Sequence, residues 1–150
     1  MSDLQPRSQV TRIAAYALCQ DEAGRILLAR LTYPETKAGH WTLPGGGIDF
    51  GEAPTAAVLR ELTEETGLTG TVVYLAGVES WVRHGPVPGG SGDDFHAIQI
   101  LYRVLVSGGT LRDELDGSTD AAAWFTRAEL AELPVVELVE AGLRLLDAPH

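Results

Sequence analysis

Arg60 and three glutamates, Glu61, Glu64 and Glu65, fall together in "RELTEETGL" at residues 60–68. Carboxylates this close repel one another, or raise one another's pKa, unless a cation lies among them. The segment reads as a helix, on which residues three and four apart are neighbours, so Glu61 faces both Glu64 and Glu65. At about 100° per residue, Val58, Leu59, Leu62 and Thr66 share one arc, expected to be the core face. The glutamates share an arc of roughly 100°, expected on the opposite side. Two chemistries suit such a cluster. One is an ordinary solvated acidic face. The other is a set of oxygen ligands for a hard divalent cation such as Mg²⁺, which divides its shell among carboxylates, waters and substrate phosphate. Arg60 meets Glu64 at i, i+4 and reads as an orienting residue, because a guanidinium fixes a carboxylate at two points.

The stretch before the helix decides between them. "LPGGGIDFGE" (43–52) runs directly into it. Glycines let backbone approach a ligand closely, and a helix N-terminus offers free N–H groups to phosphate. The spacing runs Gly46, five residues, Glu52, seven residues, Arg60-Glu61-Leu62, one residue, Glu64-Glu65, one residue, Gly67-Leu68. It resembles the signature of the Nudix hydrolases, G-x5-E-x7-R-E-U-x-E-E-x-G-U with U a bulky aliphatic, and matches every fixed position. A "W-x-LPGGG" approach and an "AAWF…ELAEL" segment before a final helix are consistent with it.

The resemblance implies an α/β Nudix fold, a mixed β-sheet sandwiched between α-helices. It implies Mg²⁺- or Mn²⁺-dependent hydrolysis of a nucleoside diphosphate linked to another moiety. Carried over, the metal ligands are Glu61, Glu64, Glu65 and the carbonyl of Gly45. Glu52 pairs with Arg60 or reaches an outer metal. Arg30, Gly46 and Gly47 are the candidate substrate contacts. The general base is Glu61 or an acid of a later loop, among Asp113, Glu114, Asp116 and Asp120. The hallmarks of ADP-ribose pyrophosphatases (Arg83 stands where they carry proline), of dinucleoside polyphosphate hydrolases and of coenzyme A pyrophosphatases are missing. A MutT-like (deoxy)nucleoside triphosphate pyrophosphatase or a nucleotide-sugar hydrolase is the expectation. Two alternatives stand beside it. One is a non-catalytic nucleotide-sensing module, usually marked by lost box carboxylates. The other is an isoprenoid diphosphate isomerase, which needs a catalytic cysteine.

The chain has 150 residues, 45% apolar, a size and composition suited to one domain with a real core. Its net charge of −10 opposes general binding to nucleic acid or anionic membranes. The single cysteine, Cys19, precludes a disulfide within the chain. No signal-peptide core and no apolar run of about 20 residues is present. The expected setting is cytoplasmic, with a small nucleotide-derived partner, no nucleic acid and no membrane; the resemblance leaves a homodimer open.

Positioning the cluster requires a scaffold. Residues 1–8 read as a tail and 9–150 as the domain. Residues 10–20 and 25–31 read as strands forming a hairpin across the "DEAG" turn. Residues 32–40 are a polar loop, 41–44 a short extended stretch and 45–47 part of a glycine loop. The helix begins near Ala53 with Pro54 in its first turn and ends at Gly67. Strands follow at 71–82, 96–106 and 120–125, separated by loops at 83–95 and 107–119 that suit specificity. A Thr126-capped helix and an amphipathic helix at 135–146 close the chain. Trp41, Trp81, Trp124 and Cys19 are expected in the core, and Arg83 and His84 are minor candidates for substrate contact.

Overall fold

The computed structural model describes residues 8–85 and 92–149. Among these described residues there are seven strands: β1 (Gln9–Leu18), β2 (Ile26–Leu31), β3 (Trp41–Thr42), β4 (Gly45–Gly47), β5 (Leu68–Arg83), β6 (Asp94–Gly109) and β7 (Thr119–Phe125). Three α-helices accompany them: α1 (Pro54–Thr66), α2 (Arg127–Leu130) and α3 (Glu137–Asp147). A four-stranded mixed sheet has the order β4-β1-β6-β5, with β1 and β6 parallel and the other pairs antiparallel. A second, antiparallel sheet has the order β3-β2-β7. The architecture is the expected α/β one, with helices against a mixed sheet.

One connection differs from expectation. β1 and β2 meet only at their turn, through the Gln20–Ile26 bridge, and then enter different sheets. The turn itself is strongly made: the Asp21 carboxylate accepts from the Ala23 and Arg25 amides at 3.0 and 2.8 Å. The strands part because β2 has no solvent face. Ile26, Leu27, Leu28 and Ala29 are all fully buried. Leu27 packs in the core under α1, while Ile26 and Leu28 pack in the core under α3. A strand apolar on both sides belongs between two layers.

α1 starts as its sequence dictates, with Pro54 in the first turn after an extended Ala53. It stops at Gly67, whose φ of 78° is the left-handed conformation that glycine adopts without strain. Its Ala57, Val58 and Leu62 pack on Ala15, Ala17 and Val104 of the large sheet. On the other side, α3 seats Leu138 and Val139 against Leu18, Leu43 and Leu101. α2 opens with a complete capping box, Thr126 with Glu129. No helix among the described residues is long and apolar enough to cross a membrane.

Cys19 is fully buried, and Trp41 and Trp124 pack against the two cores. Trp81 is different. It sits near the end of β5, 44% exposed, with its ring 5.4 Å from that of Phe95. Among the described residues its packing partner there is Phe95, and no helix is placed over it. The expected tail at 1–8 lies outside the described residues except Ser8, and residues 86–91 of the 83–95 loop lie outside them too.

Candidate active site

The glycines form a strand, not the expected loop. Gly45, Gly46 and Gly47 pair with Tyr16, Ala15 and Ala14 of β1. Without side chains they let α1 lie directly on them. A Cβ on Gly46 would stand 2.8 Å from the Glu61 carboxyl carbon, closer than real Cβ contacts allow. Any side chain there would push the Glu61 carboxyl out of place, so proximity to that carboxyl, not its backbone angles, favours glycine.

This approach reshapes the acidic cluster. Glu65 does not lie opposite the core; it is 2% exposed and accepts a hydrogen bond from the Gly45 amide at 3.0 Å. The reason is visible on the helical wheel. Glu65 follows Val58 by seven residues, only about 20° away from it. Glu61 is intermediate, with 14% side-chain exposure, and Glu64 is open to solvent at 49%. Glu61 and Glu65 lie close enough for each carboxyl to act on the other. Burial pushes the Glu65 carboxyl well above the usual carboxylate range, and the negative charges of Glu61 and Glu114 push in the same direction. Burial also raises Glu61, against the opposing pull of Arg60.

Arg60 is the hub. Its Nε donates to Glu52 at 2.8 Å and its Nη2 donates to the other Glu52 oxygen at 2.9 Å. Nη1 reaches Glu61 at 3.0 Å and Glu64 at 3.3 Å. Nη2 also donates to the Gly47 carbonyl at 3.2 Å, which ties helix to strand. The bidentate contact holds the Glu52 carboxyl far down, at about 2, and holds the guanidinium charged. Among the described residues, no three acidic, histidine or cysteine side chains form a ready-made metal-binding group. Arg60 Nη1 is shared between Glu61 and Glu64 instead. The donor set itself is all oxygen, hard, partly buried and short of positive charge, which is what a divalent cation satisfies.

The remaining candidates are dispersed. Arg30 donates to Asp120 at 2.7 Å and lies over Trp41, so its charge already has a partner. Asp113 accepts from the Ala122 amide at 3.0 Å. Glu114 accepts from the Thr119 hydroxyl at 2.9 Å and is the one loop acid whose charge registers at Glu65. Asp116 occupies a left-handed turn position, φ 56°. Arg83 stacks over Phe95, and His84 lies 3.8 Å from Asp94.

Three residues that sequence reasoning passed over touch this region. Arg112 closes the end of α1: its amide donates to the Thr66 carbonyl at 2.9 Å, and its guanidinium reaches the Thr63 and Glu64 carbonyls at 3.2 and 3.4 Å. Tyr16 stands opposite Gly45, and Arg12 stands against Gly47. For Arg12 and Tyr16 the signal was available, because both alternate onto one face of β1 beside the glycine strand. Arg112 left no local signal.

A family model for the NUDIX domain matches residues 10–144. A MutT-like protein of Streptomyces ambofaciens is 32% identical over 127 residues, covering 85% of this chain and 70% of that protein. An RNA pyrophosphohydrolase of Azorhizobium caulinodans is 48% identical over 67 residues, covering 43% of this chain and 39% of that protein. Among solved structures, a MutT NUDIX hydrolase from Burkholderia pseudomallei superposes with a TM-score of 0.68 at 27% identity, covering 91% of this chain and 98% of that one. A NUDIX hydrolase from Nitrosomonas europaea shares the fold at a TM-score of 0.72 and 21% identity, covering 91% of this chain and 88% of that one. With the full signature seated on α1 and β4, the chain belongs to the Nudix hydrolases, enzymes acting on phosphoric anhydrides.

Proposed function

We propose that the protein is a divalent-metal-dependent pyrophosphohydrolase of small nucleotides, cleaving a (deoxy)nucleoside triphosphate in the MutT-like manner or a nucleotide sugar. The observation that carries this reading is the placement of Glu61 and Glu65 against one glycine strand, Glu65 accepting from the Gly45 amide and the Glu61 carboxyl lying where a Gly46 side chain would stand. Two acids buried side by side cost stability, and a divalent cation between them relieves that cost. Glu61, Glu64, Glu65 and the Gly45 carbonyl would hold Mg²⁺ or Mn²⁺. Such an ion, when bound, neutralises phosphate charge and lowers the pKa of water.

The chain's own residues supply the rest. Arg60 holds Glu52, Glu61 and the Gly47 carbonyl in one array, so that strand and helix face the substrate as a unit. Glu61 remains a candidate for the base. Of the loop acids, Glu114 is the alternative whose charge reaches Glu65, although, like Asp113 and Asp120, it is already engaged, accepting from Thr119. The net charge of −10 favours a small nucleotide over a polynucleotide. The relatives named RNA pyrophosphohydrolase align over 39%, 38% and 53% of their length in three cases, which leaves their substrate an alternative for this chain.

Every box carboxylate is present, which speaks against a purely nucleotide-sensing module. Cys19 speaks against isomerase chemistry: burial pushes its thiol up to about 12, leaving it inert as an acid or nucleophile. The test is release of phosphate and pyrophosphate from a panel of nucleoside triphosphates and nucleotide sugars with Mg²⁺. Wild type should turn over at least one class, and Glu64→Gln should lose at least about 100-fold, the scale of removing a charge-stabilising group. Nucleotide binding without turnover anywhere on the panel would leave the sensing module as the better account.

A further inference from the structure

Arg12 lies on β1, outside the signature, with its guanidinium against the end of the glycine strand. A Cβ on Gly47 would stand 3.2 Å from Nη2 and 3.4 Å from Nε of Arg12. Arg60 reaches the carbonyl of the same glycine at 3.2 Å. Two guanidinium groups therefore attend Gly47, and they differ in one respect. Arg60 lies within 4 Å of four carboxylates, those of Asp49, Glu52, Glu61 and Glu64. Arg12 pairs with no carboxylate among the described residues, whereas Arg25, Arg30 and Arg127 each have one. In a chain of net charge −10, a cation left without a carboxylate beside this strand has charge available for a ligand.

Arg12 lies beside Tyr16, whose hydroxyl is acted on by Arg12 and Gln99. Tyr16 is opposite Gly45, where a Cβ would stand 2.6 Å from its ring, and its hydroxyl feels the charge of Glu65. Arg12 and Tyr16 alternate onto the same face of β1, and Gln99 stands opposite Ala14 on that face of β6. Arg12, Tyr16, Gly45 and Glu65 thus form a continuous path from an exposed guanidinium to the buried acid.

We propose that Arg12 is a specificity-determining residue that takes the terminal phosphate of a nucleoside triphosphate, the group a neutral sugar replaces in a nucleotide sugar, so that nucleoside triphosphates are preferred to nucleotide sugars. This rests on the pyrophosphohydrolase reading above. A guanidinium matches phosphate oxygens at two points, and a charge-assisted contact of that kind is about twice as strong as a neutral one. The neutral hydroxyls of a sugar offer no such match.

The test compares kcat/KM for deoxynucleoside triphosphates and for UDP-glucose in wild type, Arg12→Gln and Arg12→Lys. Wild type should prefer triphosphates. Arg12→Gln should lose about 10- to 100-fold on triphosphates, the cost of a hydrogen bond to a charged group, and less than about 3-fold on UDP-glucose, where no such bond is lost. Arg12→Lys, which keeps the charge and loses the fork, should recover part of the loss. Equal losses on both classes, no loss on either, or a wild-type preference for UDP-glucose would overturn the role of Arg12 and leave the hydrolase reading standing. Absence of wild-type turnover on every nucleotide would overturn both.

Discussion

Glu65→Gln should make the protein more stable while abolishing its activity. Glu65 is 2% exposed, raised in pKa chiefly by burial and additionally by Glu61, and held by the Gly45 amide. Glutamine keeps the acceptor for that amide and offers Glu61 an N–H in place of a second carboxyl. Removing strain of this kind from a functional site typically yields about 1–2 kcal/mol. For a domain of this size each kcal/mol moves Tm by about 2–4 °C, so the gain should be roughly 2–8 °C. The pH dependence fixes the cause. An acid whose folded pKa is raised costs stability when ionised. That cost is full above the folded pKa and vanishes as pH falls through it towards the unfolded value near 4.5. Wild type should therefore close the gap with Glu65→Gln as pH is lowered through that window. The assay is calorimetry in EDTA across that range, repeated with Mg²⁺ at neutral pH. Metal at about a hundred times its Kd should stabilise wild type by about 2.7 kcal/mol and the variant by less. A lower Tm for Glu65→Gln at neutral pH, or a gap that widens on acidification, would refute the reasoning.

Gly46→Ala places a methyl 2.8 Å from the Glu61 carboxyl carbon; swinging that side chain off its rotamer should cost about 0.5–1.5 kcal/mol, read by urea melts, together with a loss in kcat. Arg112→Ala removes the donors to the Thr63 and Glu64 carbonyls; it should lower stability by about 0.5–1.5 kcal/mol, and hydrogen exchange should quicken in the last turn of α1 before elsewhere. Cys19, fully buried with its thiol pushed to about 12, should resist aromatic disulfide reagents in the native state and react at once in denaturant.

What the sequence made legible was local. The start of α1 at Pro54, its stop at Gly67 and the Thr126 cap follow from single residues acting on adjacent backbone. The cluster of charges was also local, and so was the match of spacing that named the family. Non-local pairing was harder to read. β1 and β2 are adjacent in sequence with a strong turn between them, yet Ile26 and Leu28 need cover on one side and Leu27 on the other. The glycine segment reads as a loop because it has no side chains; pairing with Ala14–Tyr16 makes it a strand. That pairing then brings α1 down onto it and buries Glu65, which the seven-residue offset from Val58 could have indicated. Arg112 contacts α1 from the loop just after β6, a distance no periodicity reports.

The central claim is that Glu61, Glu64 and Glu65 serve as ligands for a divalent cation rather than as an acidic surface. Binding of Mn²⁺ followed by electron paramagnetic resonance, with no nucleotide present, tests it directly. Wild type should bind Mn²⁺ with a defined stoichiometry, and Glu64→Gln and Glu65→Gln should each weaken binding by about 10-fold or more, the effect of losing a hard anionic ligand. Wild-type binding no tighter than that of both variants would contradict the account.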